Sequence, residues 1–181
     1  ANESNERQLR IVTDLLKVAQ VDSGKMVARK APIDINEVVR AVVGDQADMF
    51  KDRDQTLELH LPKRPTMVNV DQDIMRMTIE NIVDNASKYT ENGKRITVSV
   101  KRYGGVVKVV VADEGVGVAK DRRAKLFEKF SRIDNSLSTK VGGTGLGLYW
   151  AKKSVELHDG SLVYEPARPR GSIFTIELPK M

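Results

Sequence analysis

The 181-residue chain contains no cysteine, so disulfide frameworks, thiolate metal sites and cysteine nucleophiles are excluded. Its two histidines, His60 and His158, are too few for a His-rich metal centre. Aromatic residues make up only 5% of the chain, too sparse for the stacking platforms that hold single-stranded nucleic acid. No apolar run approaches the roughly 18 residues that cross a bilayer, and the N-terminus lacks a signal-peptide profile. The expectation is a soluble, cytoplasmic chain. Internal repeats and low-complexity tracts are absent.

What is present is a normal globular balance, 40% hydrophobic and 30% charged, in a length that suits one domain with a piece left over. Thirty basic against 25 acidic residues give a net charge of +5. The basic residues are spread along the chain, so phosphate contact explains them more cheaply than a nucleic-acid surface.

The first segment, Asn2 to about Lys25, spaces Leu9, Val12, Leu16 and Ala19 by threes and fours, the seam of a helix that seeks a partner helix, with folding back onto its own domain as the alternative. Ile11, Leu15 and Val18 widen that face, Arg7, Arg10, Asp14 and Lys17 are expected on its wetter side, and Ser23-Gly24 ends it. From Pro32 the pattern changes. Asp34 caps a helix to about Arg53, Thr56 to Leu61 alternates as a strand, and Met67 to Val70 is a second short strand. Asp71 caps a further helix through Ile74, Ile79, Ile82 and Val83. Ile96, Val98 and Val100 face Val107, Val109 and Val111 across a Gly104-Gly105 hairpin turn. A helix from Leu146 to Leu157 and a hairpin from Ser161–Glu165 to Ser172–Leu178 complete the chain. Between the first hairpin and that helix, Val116 to Thr144 is long and irregular, with a helix-like piece around Arg123 to Phe130, as functional loops are. Helices beside a mixed, largely antiparallel sheet make an α+β, two-layer sandwich with helices on one face.

Three motifs carry chemistry. Asn81, Asn85 and Lys88 are spaced by four and three, so they share one stripe of the helix after Asp71. An Asn oxygen is a neutral ligand for Mg²⁺, which takes few protein ligands when phosphates supply the rest, and Lys88 can bring an ammonium to the same phosphates. Asp113-Glu114-Gly115-Val116-Gly117 ends a valine-rich strand. Its carboxylate can accept from an adenine amino group, although alone such a run is more often a plain turn. Gly142-Gly143-Thr144-Gly145-Leu146-Gly147-Leu148 leads into a helix, where backbone N–H groups can converge on phosphate oxygens. It matches neither a Rossmann fingerprint nor a P-loop.

In order, Asn-x-x-x-Asn-Ala-x-Lys-Tyr, Asp-x-Gly-x-Gly, Phe127-Glu128-Lys129-Phe130 and Gly-Thr-Gly-Leu-Gly-Leu resemble the N, G1, F and G2 boxes of sensor histidine kinases. The resemblance covers essentially the whole chain. It implies that residues 1–25 are the second helix of a dimerisation and phosphotransfer bundle, 26–33 a linker, and 34–181 the catalytic ATP-binding domain. That domain is a sandwich shared with gyrase, the Hsp90 chaperone and MutL. The implied cofactors are ATP and Mg²⁺.

Carried over by residue, the resemblance implies that Asn85 coordinates Mg²⁺, Asn81 supports the same network, Lys88 contacts phosphate and Tyr89 lies along the adenine or ribose. Asp113 would bind the adenine amino group, with Gly115 and Gly117 shaping the base pocket and Thr175 behind Asp113 through water. Gly143, Thr144, Gly145, Leu146 and Gly147 would wrap the phosphates. Phe127 and Phe130 would anchor the lid, and Lys129, Arg132 and Lys140 within it would meet the γ-phosphate. ATP-hydrolysing relatives carry a Glu where this chain has Asn81, an amide that takes no proton at neutral pH. Phosphoryl transfer to water is therefore disfavoured and a kinase is expected.

In the family the resemblance points to, the phospho-acceptor is a His followed by an acidic residue on the first helix of the bundle. His60 precedes Leu61-Pro62, and His158, although followed by Asp159, comes just after the Leu146–Leu157 helix and is read as structural. The expectation is a piece that starts partway through the bundle, binds Mg-ATP, does not phosphorylate itself, and is monomeric or weakly dimeric. Its implied partners are an acceptor histidine on another helix, a response regulator receiver domain, and a second copy through the bundle. Nucleic acid is not among them, and a membrane only through missing segments. The alternative is a degenerate kinase domain serving as a nucleotide-binding scaffold.

Overall fold

The computed structural model describes residues 2–132, 137 and 143–181. Two aspartates open helices, as their positions suggest. Asp34 Oδ1 accepts from Asn36 N at 3.1 Å and starts α2 (Ile35–Asp52). Asp71 Oδ1 accepts from Asp73 N and Ile74 N, both at 3.1 Å, and starts α3 (Gln72–Lys88). The expected strands form as β2 (Thr56–His60), β3 (Met67–Val70), β4 (Arg95–Tyr103), β5 (Val106–Asp113), β6 (Ser161–Pro166) and β7 (Ser172–Pro179). The segment read as linker adds one more strand, β1 (Ala31–Asp34), which pairs antiparallel with β3 in a small separate sheet. The irregular span carries a 3₁₀ turn at Lys120–Lys125, earlier and tighter than the helix-like piece expected around Arg123 to Phe130.

The main sheet runs β2-β4-β5-β7-β6. Only the β2–β4 pair is parallel; β4–β5, β5–β7 and β6–β7 are antiparallel. Burial alternates strictly along β5, where Val107, Val109 and Val111 are covered. Phe174, Ile176 and Leu178 of β7 continue that face. Against it pack Val38, Val39 and Val42 of α2, Met75, Ile79, Ile82 and Val83 of α3, and Ala151 and Val155 of α4 (Gly147–Leu157). The result is the two-layer sandwich read from the periodicities.

The N-terminal helix α1 (Asn2–Asp22) departs from expectation. Its apolar seam is open, with Leu9 69%, Val12 53% and Leu16 61% exposed. Asp14 and Lys17, expected on its wetter side, instead meet the domain. Val18 is buried with Ile74, Leu146 and Trp150, and Lys17 lies over the Trp150 ring at 5.7 Å. Among the described residues no helix is long and apolar enough to cross a membrane.

A buried polar knot fixes the end of α3. Gln55 Nε2 donates to Ser87 O at 2.9 Å and Thr90 O at 2.7 Å, and Ser87 Oγ donates to Gln55 Oε1 at 2.6 Å. Gln55→Ala leaves the Thr90 carbonyl without its partner and takes the acceptor from the Ser87 hydroxyl, while Ser87 O keeps Thr90 N at 3.3 Å. Each unsatisfied group costs about 1–3 kcal/mol. Urea denaturation should show a loss of about 2–4 kcal/mol, with the slope of the transition unchanged.

Candidate functional site

A cavity of about 540 Å³ opens between α3, the end of the irregular span and the start of β7. The stripe predicted on α3 lines it: Asn81, Asn85 and Lys88 all reach the cavity, with Tyr89 at the helix C-cap. Gly117, Gly143, Thr144, Gly145 and Gly147 line it as well. Asn81 Nδ2 donates to Gly147 O at 3.4 Å, joining α3 to the first turn of α4. Lys88 is held by Asp84 at 2.7 Å, so its charge is already partly met. The Asn85 amide makes no hydrogen bond among the described residues, which leaves its oxygen for a hard cation. That donor set suits Mg²⁺, which keeps waters and phosphate oxygens for most of its shell. Among the described residues no group of three acidic, histidine or cysteine side chains could hold a metal by itself.

Asp113 ends β5 opposite Ser172 of β7 and is only 6% exposed, behind the cavity wall. Its Oδ1 accepts from Gly115 N at 2.8 Å and from Ser172 N at 3.2 Å. Burial outweighs those two hydrogen bonds and pushes the carboxyl up to about 6. Oδ2 accepts no hydrogen bond among the described residues, leaving one acceptor for a ligand N–H. Gly115 is required by the approach of the chain here. A Cβ on it would lie 2.7 Å from Asp113 Oδ1 and 2.9 Å from Thr90 Oγ1. Tyr89 is half-buried, and its phenol is pushed up by desolvation.

Several expected residues lie elsewhere. Thr175 pairs with Val110, three residues from Ser172, so the alternation of the strand sends it to the other face of the sheet from Asp113. Ser172 takes the place assigned to it. Leu146 is 1% exposed in the cluster with Val18 and Trp150, a packing residue rather than a lining one. Phe130 is 63% exposed, so its ring anchors nothing. Its backbone, at φ 58°, instead passes beneath Gly145, where a Cβ would meet Phe130 C at 2.8 Å. Phe127 does pack, edge-on to Phe174 with ring centroids 6.4 Å apart. Lys129 forms an ion pair with Asp22 of α1 and lies 5.1 Å from the Tyr149 ring centroid, outside the cavity. Arg132 lines a smaller adjoining groove, near enough for its charge to act on Tyr89. Gly142 and Lys140 fall outside the described residues.

The structure also brings residues that the motifs did not mark. Ser172, Phe174 and Ser131 line the cavity, as do Arg10 and Asp14 from α1. Asp14 accepts from Thr144 Oγ1 at 2.8 Å.

Residues 70–181 match the profile of the histidine kinase-, DNA gyrase B- and HSP90-like ATPases. The sensor histidine kinase WalK of Bacillus subtilis (strain 168) is 34% identical over 176 residues, covering 96% of this chain and 29% of the relative. The circadian input-output histidine kinase CikA of Synechococcus elongatus is 30% identical over 99% of this chain and 24% of its own length. Full-length ShkA, solved in complex with AMPPNP, superposes with a TM-score of 0.85 at 27% identity, covering 98% of this chain and 37% of that one. The chain thus spans less than a third of the length of the two kinases matched by sequence.

The raised Asp113 pKa makes a stability prediction. A carboxyl whose folded value lies above its ordinary 3.8 favours folding fully below about pH 4 and loses that contribution as pH rises through about 6. Ionising it at neutral pH costs up to about 3 kcal/mol. Asp113→Asn retains the acceptor for both backbone amides and removes the charge. Thermal unfolding should show the variant more stable than the parent at pH 7.5, with the difference vanishing near pH 4.

Proposed function

The chain belongs to the histidine kinase-, DNA gyrase B- and HSP90-like ATPase family, and we propose that it is the ATP-binding catalytic part of a sensor histidine kinase. The observation that carries this reading is the buried Asp113 with one free oxygen, set behind a cavity lined by Asn85 and a glycine loop. A carboxylate that stays buried at a cost to stability, with no cation paired to it among the described residues, is the signature of a site kept for a ligand.

Asp113 accepts from the adenine amino group, and Tyr89 lies along the base or sugar. Gly117 and Ser172 shape the same end of the pocket. At the other end, Gly143, Gly145 and Gly147 bring the backbone close to the phosphates. Asn85, supported by Asn81, would hold Mg²⁺. When bound, the ion would supply positive charge to offset that of the phosphates. Asn81 orients its neighbours through Gly147 and has no basicity with which to activate water. Transfer therefore depends on positioning and charge, and the γ-phosphoryl is held for a nucleophile other than water.

That nucleophile is a histidine on a separate helix, and the phosphoryl then passes to an aspartate of a response regulator. Against His158 as the acceptor, and in favour of a structural role, its Nε2 accepts from Asp71 N at 3.0 Å and its Nδ1 is 2.6 Å from Ser154 O. Desolvation holds it below the usual histidine range, neutral and buried. The exposed seam of Leu9, Val12 and Leu16 suits the helical bundle through which such kinases dimerise.

The test is transfer from γ-labelled Mg-ATP to a separately supplied bundle helix that carries a histidine followed by an acidic residue. Label should accumulate on that helix, and Asn85→Ala should lower the rate by at least about tenfold, the loss of one charge-assisted contact. Release of label mainly as inorganic phosphate at the same rate would contradict the reading.

A further inference from the structure

On α1, Arg10, Asp14, Val18 and Asp22 are spaced by four, so they form one stripe with about 6 Å between successive members. Each of the last three has its place on the domain. Asp22 holds Lys129 and accepts from the Tyr149 hydroxyl at 2.5 Å. Val18 is buried beside Leu146 and Trp150. Asp14 accepts from Thr144 Oγ1 in the glycine loop at 2.8 Å. The stripe therefore runs along α4 to the glycine loop and ends, one turn further, at the cavity. Arg10 stands there and lines it.

The cations around this cavity are unequal. Lys88 is paired with Asp84, and Arg53 donates to Ser87 Oγ at 2.6 Å. Lys129, which the motif order marked for the γ-phosphate, is held by α1 outside the cavity. Arg10 forms no ion pair among the described residues, and Asp14, its neighbour one turn on, is engaged by Thr144. A guanidinium offers a planar fork of donors matched to phosphate oxygens.

From this juxtaposition we infer that α1 is a wall of the nucleotide site and that Arg10 binds the phosphate tail of the nucleotide from it. The inference rests on the proposed function, since it needs an ATP-binding cavity. It gives the helix a second task besides presenting its apolar seam: Asp14 pins the glycine loop to the helix, and Arg10 supplies positive charge that the catalytic domain's own lysine does not. Helix and domain are then coupled through the ligand, because phosphate binding favours the docked position of α1.

The test is calorimetric titration of the intact chain and of Arg10→Gln with Mg-ATP and with adenosine. Arg10 is an exposed helix residue, and adenosine affinity reports whether the variant's base pocket is intact. The expected result is an ATP affinity about tenfold lower in the variant with adenosine affinity unchanged, and partial recovery in Arg10→Lys. Equal ATP affinity in parent and variant would overturn the assignment. So would an equal loss for ATP and adenosine, which marks a structural role. If the parent chain itself binds adenosine but not ATP, the phosphate site fails. If it binds neither, the proposed function fails and takes this inference with it.

Discussion

The register between β5 and β7 is the constraint on which the site depends. It sets Asp113 opposite Ser172, so that one oxygen of a buried carboxylate is held by two backbone amides and the other is left free. A slip of one residue would turn Asp113 to the opposite face of the sheet. The register is in turn fixed by the valines of β5 and by Phe174, Ile176 and Leu178, which must all face the helices at once. The hydrophobic layer thus aims a polar group it does not itself need. The carboxylate is retained at a cost to stability, with no cation among the described residues to offset it, and a ligand donor would offset part of that cost.

Around this fixed point the charges are distributed by element. The floor of the pocket comes from the sheet, the amide-rich wall from α3, and the glycine loop from the entry to α4. The N-terminal helix adds charge of both signs along one stripe. Asp22 and Asp14 hold Lys129 and Thr144, while Arg10 reaches the cavity. The surface ion pair of Asp22 contributes little energy by itself, since water screens exposed pairs and holding two side chains together costs entropy. Burial of Val18 against Trp150 and Leu146 does more to seat the helix. The polar contacts set which turn of the helix meets which loop.

Much of this was legible in the residues, and the rest fails for identifiable reasons. Strand alternation, the Asp34 and Asp71 caps, both hairpins and the Asn81–Asn85–Lys88 stripe are local patterns with fixed periods, and each appears where the pattern puts it. Ser172 was missed in favour of Thr175 because the choice depends on the pairing of two distant strands, and both residues are small hydroxyl side chains on the same strand. The docking face of α1 was misread because a seam of leucines and valines outweighs a polar stripe in any periodicity argument. The partners that occupy Lys88 and Lys129 follow from where long side chains meet, Asp84 one turn away and Asp22 more than a hundred residues away. Strand β1 was hidden by the proline within it and by its shortness.

The central claim is that a free Asp113 oxygen selects a base bearing an amino donor. Inosine triphosphate tests it most directly, because it carries an acceptor oxygen where ATP carries that amino group and keeps the same sugar and phosphates. In a competition titration against one fluorescent nucleotide, the account predicts ATP to bind at least about tenfold more tightly than inosine triphosphate, since the latter leaves a buried acceptor unpaired. Equal affinities would contradict it and would leave Asp113 as a structural carboxylate.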